Sequence, residues 1–299
     1  MHYMRIMAEA VSTPWAILPA KLAAIQAFLR IKSEGGTIPQ AEIDAMKAAK
    51  QAAAINANGK AASVAVVPVY GTIVQRADLF TEISGGVSTV SVGEQIDKQA
   101  NDPAVKAIIL DIHSPGGTVY GVGQLAEKIA SVKSKPVIGV ANSLCASAAY
   151  WIASACSELV VTSDAEIGSI GVYQMTFDET VALEAMGVKP TMIKSTELKA
   201  SGNPYEPLTD AMRAELQKGV DDYYQQFVNA VAKGRKTTPE NVAKTFGAGG
   251  TLRAREAVYV GMADSIGTLE GVIARYMTDH VPKNKGMSVE IARRSMLIG

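Results

Sequence analysis

The chain has 299 residues, 48% of them hydrophobic and 19% charged, with 26 glycines, the make-up of a globular protein with room for one large or two modest domains. Lys and Arg together number 29, as do Asp and Glu, so no net basic field exists to hold nucleic acid or an anionic membrane. The cysteines Cys145 and Cys156 share one apolar stretch and the histidines His2, His113 and His280 are scattered, which excludes a disulfide scaffold and a multi-histidine or cysteine metal centre. No cofactor, metal or nucleic-acid partner is expected, and the cysteine usage suits a reducing, cytoplasmic compartment.

The N-terminus lacks the unbroken apolar core that a secretory signal places after its basic start. Trp15, Leu18, Leu22, Ile25 and Leu29 recur at spacings of three and four, interrupted by Lys21, Gln26 and Arg30, and predict an amphipathic helix from Trp15 to Ile31. With Gly35-Gly36 as a break, Pro39 opening a further helix and Asn56 to Gly59 closing it, residues 1–60 read as a helical N-terminal extension. Val64 to Gly71 is a β-branched run ended by glycine, the first strand of a core domain over 61–280, and Pro68 marks it as an edge or a bulge.

A helix is predicted from Val92 to Gln99, and the apolar run Val105 to Ile112 reads as a buried parallel strand. Thr118 to Val132 has a helical apolar face, and Pro136 to Val140 resumes strand character, which completes a βαβ unit. The alternation continues with a helix near 147–155, strands near 158–162 and 188–194, and a long helix from about 209 to 233. The stripe Met212, Leu216, Val220, Tyr223, Phe227 and Val231 on that helix reads as core or subunit packing. Thr238-Pro239-Glu240 starts another short helix, and residues 281–299 read as a tail. The apolar stretch Leu144 to Val161 is broken by Ser147, Ser154, Ser157 and Glu158 and is no membrane span. The fold class is α/β.

Two strand-to-helix junctions can carry chemistry. Asp111 to Gly117 ends a buried strand with Ser114-Pro115-Gly116-Gly117, and paired glycines there can turn backbone N–H groups outward toward negative charge, as an oxyanion hole requires. Read blandly, it is a tight turn. Ala141 to Trp151 passes from a strand end into a helix with Ser147 among alanines, where its hydroxyl is either a nucleophile in the helix dipole field or a plain helix cap. No histidine lies between 114 and 279, so a serine nucleophile here points to a lysine base, an amine that burial must make able to accept a proton. Spacing leaves Lys189, Lys194 and Lys199 equally open.

With these motifs in view, the chain resembles the signal peptide peptidase A family of serine-lysine peptidases, which have the crotonase-like fold of the caseinolytic protease. The resemblance covers about residues 60–275 and rests on ordered motifs: Val64 to Gly71, Ser114 to Gly117, Ala146-Ser147, Gly168 to Val172, Ile193-Lys194-Ser195 with Lys199, and Ala257 with Gly261, Asp264 and Gly267. It implies a crotonase-like core of repeated ββα units. It implies Ser147 as nucleophile, Lys199 as general base and Ser169 as the residue orienting that lysine, with an oxyanion hole at Gly116, Gly117 and Ala148 supplied by the amides of Gly117 and Ala148. The family usually has two glycines after the nucleophile, where this chain has Ala148 and Ala149; alanine keeps the N–H.

The segment Pro14 to Ile17 ahead of the core is similar to the bacteriophage and prophage branch, whose members are head maturation or capsid assembly proteases. The resemblance implies a protein substrate such as a phage scaffold or capsid protein, a host-cytoplasmic or prohead location, no membrane anchor, and a ring-like homo-oligomer with sites completed between subunits. Rival readings are a signal-peptide or general peptidase of the same family, an inactive capsid scaffold, and an acyl-CoA hydratase or isomerase. The last would want carboxylates near the glycine turn, where only Glu127 is available between Gly116 and Ala148.

Overall fold

The computed structural model describes residues 13–33, 64–76 and 86–277. His2, His280, the breaks at 35–36 and 56–59, Pro39 and the predicted tail lie outside the described residues.

The centre of the molecule is a largely parallel sheet. β2 (Val64–Tyr70) pairs in parallel with β5 (Ala107–Ser114), and β5 with β7 (Val137–Ala146). β7 is long enough to hold two neighbours, β8 (Glu158–Val161) along its first half and β9 (Glu166–Gly168) along its second, both parallel. β10 (Thr251–Arg253) closes one side antiparallel to β9, and β11 (Ser265–Ile266) pairs with β8. β2 pairs only with β5 among the described strands, so Pro68 stands where a missing N–H is tolerated, as expected of an edge.

The unbroken apolar run of β5 follows from burial on both faces. Ile108, Leu110 and Ile112 point into the main core with α2 (Thr89–Asn101), α3 (Val122–Ser131) and α4 (Ala148–Ser154). Ala107 and Ile109 face a second cluster with Val140, Val160 and Val272, closed by α9 (Leu269–Met277). A strand buried on one face alone would alternate instead. Past the short helix α5 (Thr180–Ala185), the main core is completed by α6 (Asp210–Gly234), whose Phe227 ring stacks on Trp151 with centroids 4.7 Å apart, and by the short helix α8 (Ala254–Tyr259). Of the stripe read on α6, Met212, Phe227 and Val231 are buried and Leu216, Val220 and Tyr223 half-buried. Thr209 caps α6, and Thr238 caps α7 (Pro239–Thr245) by accepting the Asn241 N–H at 3.2 Å, with Pro239 in its first turn.

Two expectations fail. The helix read from Trp15 begins only at Pro19, as α1 (Pro19–Ser33), and Trp15–Ile17 is a strand, β1. β1 joins a second, smaller sheet in the order β1, β6 (Gly116–Thr118), β3 (Ile73–Val74) and β4 (Val87–Ser88). The strand read at 188–194 is absent as well. That segment has no ladder partner, and its apolar residues are in water: Ile193 is 95% exposed. Burial, which would fix the register of a strand, is missing.

β6 shows how tightly the small sheet is built. A Cβ on Gly117 would lie 1.8 Å from the Ile73 carbonyl oxygen, a backbone atom that cannot yield. Gly117→Ala is therefore expected to cost roughly 3 kcal/mol or more, read as a lowered urea midpoint. Elsewhere, the Arg235 guanidinium grips Asp264 through two bonds of 3.0 Å, and Asp264 also accepts the Leu159 N–H at 2.7 Å, tying α6 to β8. The Arg235 side chain is 7% exposed and that of Asp264 44%. Asp264→Ala strands the buried cation next to water, so the penalty should fall below that of a fully buried pair, at about 2–3 kcal/mol in the same denaturation measurement; no change would remove this clamp from the account.

Candidate active site

β7 runs without interruption to Ala146 and is followed directly by α4, so the chain must turn from strand to helix at the single residue Ser147. It does so at φ 57°, ψ −121°, a backbone that non-glycine residues rarely adopt and that must be held from outside. The Ser147 N–H donates to Gly168 O at 2.6 Å, its carbonyl accepts the Trp151 N–H at 3.0 Å, and every residue of α4 is buried. The hydroxyl makes no capping bond. The bland reading of Ser147 as a helix cap is thereby removed.

A second serine stands beside it by register. The β7–β9 ladder ends on the pair Ala146–Gly168, and the next residue on each strand is a serine at positive φ: Ser147, and Ser169 at φ 54°. The Ser169 N–H is anchored on Gly250 O at 2.7 Å, and Ser169 is 8% exposed. Gly168, at φ 122°, makes room for Gly250, whose carbonyl oxygen would sit 2.9 Å from a Cβ there.

The glycine turn faces the same point. Ser114 Oγ donates to Gly71 O at 2.6 Å and accepts the Gly116 N–H at 3.2 Å, which locks the turn after β5. Gly116 sits at φ 101°, and a Cβ on it would lie 3.0 Å from the Ala146 carbonyl oxygen, so the turn packs directly against the chain entering Ser147. The Gly116 N–H is engaged within the turn. The Gly117 N–H, on the edge of β6 that faces β1, and the Ala148 N–H, which as the first residue of a helix has no intrahelical acceptor, are the two remaining donors. Small residues make this closeness possible: Ala146, Ala148 and Ala149 are all completely buried.

Of the three lysines, Lys194 is bound to Glu206 at 2.6 Å, and that carboxylate also accepts from Asn203 at 3.0 Å. The bond to Lys194 is the main reason the Glu206 carboxyl titrates below its usual range. That ion pair occupies the Lys194 ammonium with a partner other than Ser147. Lys199, in the 3₁₀ turn Glu197–Ala200, is exposed and forms no ion pair or side-chain hydrogen bond among the described residues. No hydrogen bond joins it to Ser147 or Ser169 within the single chain. The structure thus brings Ser147, Ser169, Gly116, Gly117 and Ala148 together and leaves Lys199 on the arm between β9 and α6.

Other reactive groups do not compete. Cys145, two residues before Ser147, is fully buried, and that burial pushes its thiol well above the ordinary value; burial likewise raises Cys156 to about 12. Asp111 is buried on β5, where desolvation raises its carboxyl, and it accepts from the Tyr70 hydroxyl. His113 Nδ1 lies 3.0 Å from Asn142 O, on the exposed side of the strand. No group of three or more His, Cys, Asp or Glu is placed to hold a metal ion among the described residues, and no described helix is long and apolar enough to cross a membrane.

Sequence reasoning missed β1. Its Ala16 lies in register with Gly117, and Trp15 bridges Tyr173 on the far side. The available signal was Pro19, which disfavours helical backbone at Leu18 and so sets the helix start.

The pattern of peptidase family S49 matches residues 130–281, a span that includes Ser147, Ser169 and Lys199. The capsid assembly protease C of Escherichia phage lambda is 37% identical over 204 residues, 68% of this chain and 46% of the relative. Head-tail preconnector protein GP5 of Enterobacteria phage P21 is 32% identical over 68% of this chain and 40% of its own length. A putative signal peptide peptidase SppA of Enterococcus faecium is 31% identical over 60% and 52%. The chain spans about half the length of these curated relatives or less. With the family pattern over just more than half of the residues and the strand-to-helix serine within it, the chain belongs to peptidase family S49.

Proposed function

We propose that the chain is a serine endopeptidase with a crotonase-like core of ββα units, in which Ser147 is the nucleophile and Lys199 the general base. The carrying observation is Ser147 itself: a serine at φ 57°, ψ −121° between a strand and a buried helix, with its hydroxyl free of any cap. Backbone strain that the surroundings over-determine clusters at functional positions, which supports this reading. Lys199 takes the Ser147 proton, the hydroxyl attacks a peptide carbonyl, and Gly117 and Ala148 N–H groups hold the oxyanion until water releases the acyl-enzyme. Ser169, next to Ser147 by register, orients the lysine.

A lysine base must be withdrawn from water, and Lys199 is exposed in the single chain. The same arm exposes Ile193, Val181 at 78% and Met186 at 67%. We infer that a neighbouring copy covers this arm in a ring-like homo-oligomer and that sites are completed between subunits. The division into an extension over 1–60, a peptidase core over 61–280 and a tail over 281–299 belongs to this proposal, with β1 of the extension paired to the core. The names of the phage relatives, a capsid assembly protease and a head-tail preconnector protein, support a capsid or scaffold protein as substrate, met in the host cytoplasm or prohead.

Ser147→Ala and Lys199→Ala should each lower hydrolysis of a phage scaffold protein by about 10³-fold or more without changing the far-UV circular dichroism. Near-normal turnover in Lys199→Ala, with Ser147→Ala inactive, would remove Lys199 as the base.

A further inference from the structure

β1 is placed as a bound peptide would be. It lies extended between two backbones and is antiparallel to both. On one side it runs along β6 in the register Trp15–Thr118, Ala16–Gly117 and Ile17–Gly116. On the other, Trp15 N–H donates to Tyr173 O at 2.8 Å and Tyr173 N–H to Trp15 O at 3.0 Å. The β6 side continues beyond the strand, with Val119 N–H donating to Pro14 O at 3.3 Å and Leu18 N–H to Pro115 O at 2.9 Å. Antiparallel ladders alternate hydrogen-bonded and non-hydrogen-bonded pairs. Those two bonds fix the phase, so Ala16 and Gly117 form a hydrogen-bonded pair and the Ala16 carbonyl faces the Gly117 N–H.

That N–H is the one assigned above to the oxyanion. The Ala16 carbonyl oxygen also lies 2.2 Å from where a Cβ on Gly116 would be, a position itself 3.0 Å from the Ala146 carbonyl oxygen. A carbonyl of the chain's own N-terminal segment therefore stands at the glycine turn, beside the residue that precedes the nucleophile. Covering follows: Trp15, Ala16 and Ile17 are 2%, 0% and 2% exposed, and Ser147 is 1% exposed. The segment is anchored by its own small core, in which Trp15 and Ile17 pack with Leu22, Ile25 and Leu29 of α1 and with Val74, against Tyr173 and Met175.

We propose that the channel between β6 and Tyr173 is the peptide acceptor of the Ser147 site and that Pro14–Leu18 is its built-in occupant, with the Ala16–Ile17 bond where the substrate's scissile bond goes. The substrate is an extended segment added as a strand, with a small residue opposite Gly117, and it binds only when β1 leaves. This rests on the reading of Ser147 as nucleophile. Of the β1 and α1 unit only Ala16 enters the main core, so the unit lifts by withdrawing one small side chain from it.

The test locks the strand in place in the full chain. Trp15 and Thr118 are a non-hydrogen-bonded pair, whose Cα atoms lie about 4.5 Å apart in such ladders, within disulfide range. Trp15→Cys with Thr118→Cys should crosslink on oxidation. The readout is the rate at which a succinyl-trialanyl diphenyl phosphonate modifies Ser147, followed by intact mass with Ser147→Ala as blank. The oxidised protein should react about tenfold or more slowly than the same protein reduced with dithiothreitol, and Trp15→Asp several-fold faster than wild type. Failure of the disulfide to form in folded protein, or equal rates oxidised and reduced, overturns the occupant. Absence of any Ser147 adduct in the reduced pair and in Trp15→Asp instead overturns the nucleophile, and the occupant with it.

Discussion

Everything in the proposed chemistry hangs on one backbone turn. Ser147 is the single residue between β7 and α4, and it makes the turn at a positive φ that non-glycine residues rarely adopt. A serine there costs of order 1–3 kcal/mol relative to a relaxed backbone. The surroundings offset that cost: α4 is buried along its whole length, Tyr150 hydrogen-bonds to Met262 O at 3.0 Å, and Trp151 stacks on Phe227. The strain is thus carried by the core and not by the site's own loops. A hydroxyl on such a turn stands clear of the helix it precedes, which is the arrangement used by the nucleophile elbows of α/β-hydrolases.

The second requirement is closeness. An oxyanion site needs two N–H groups from different segments aimed at one point, and backbones approach that closely only where side chains are absent or small. Gly116 and Gly117 fill one segment and Ala146, Ala148 and Ala149 the other. The same glycine strand is paired on both edges, to β3 and to β1, so the donor strand is fixed by a ladder and its outer neighbour becomes the natural place for a substrate backbone. The lysine obeys a different logic. A base must be dry, and the arm that carries Lys199 is wet in the isolated chain, so the account requires a second copy for the proton transfer and none for the oxyanion.

Much of the fold was legible because burial leaves a pattern. β5 and the first half of β7 read as strands since both faces are covered and their residues are almost all apolar. α6 read correctly as a long helix with the apolar stripe from Met212 to Val231, and α7 from Thr238 and Pro239, whose capping chemistry is local. Pro19 could have marked where α1 starts, but β1 was not legible as a strand: three residues cannot show a period of two, and Trp15 and Leu18 happen to extend the helical spacing of α1 backward. The segment 188–194 was misread for the opposite reason, since Val188, Met192 and Ile193 look like strand residues but meet no partner to bury them. At the site, the glycine pair was visible as composition, whereas the positive φ of Ser147 and Ser169 was not, because serine has no preference for it and tertiary contacts impose it. The choice among the lysines came from resemblance. The ion pair of Lys194 with Glu206 supplies a physical reason to discount one of them.

The most direct check on the central claim is to find which atom carries an acyl-enzyme mimic. Purified protein is treated with a serine-directed peptidyl phosphonate, digested, and the adduct mapped by tandem mass spectrometry, in wild type and in Lys199→Ala at matched oligomeric state. The account predicts a single adduct on Ser147 that forms far more slowly without the lysine. An adduct on another serine, Ser169 included, or equal labelling of Ser147 with and without Lys199, would contradict it.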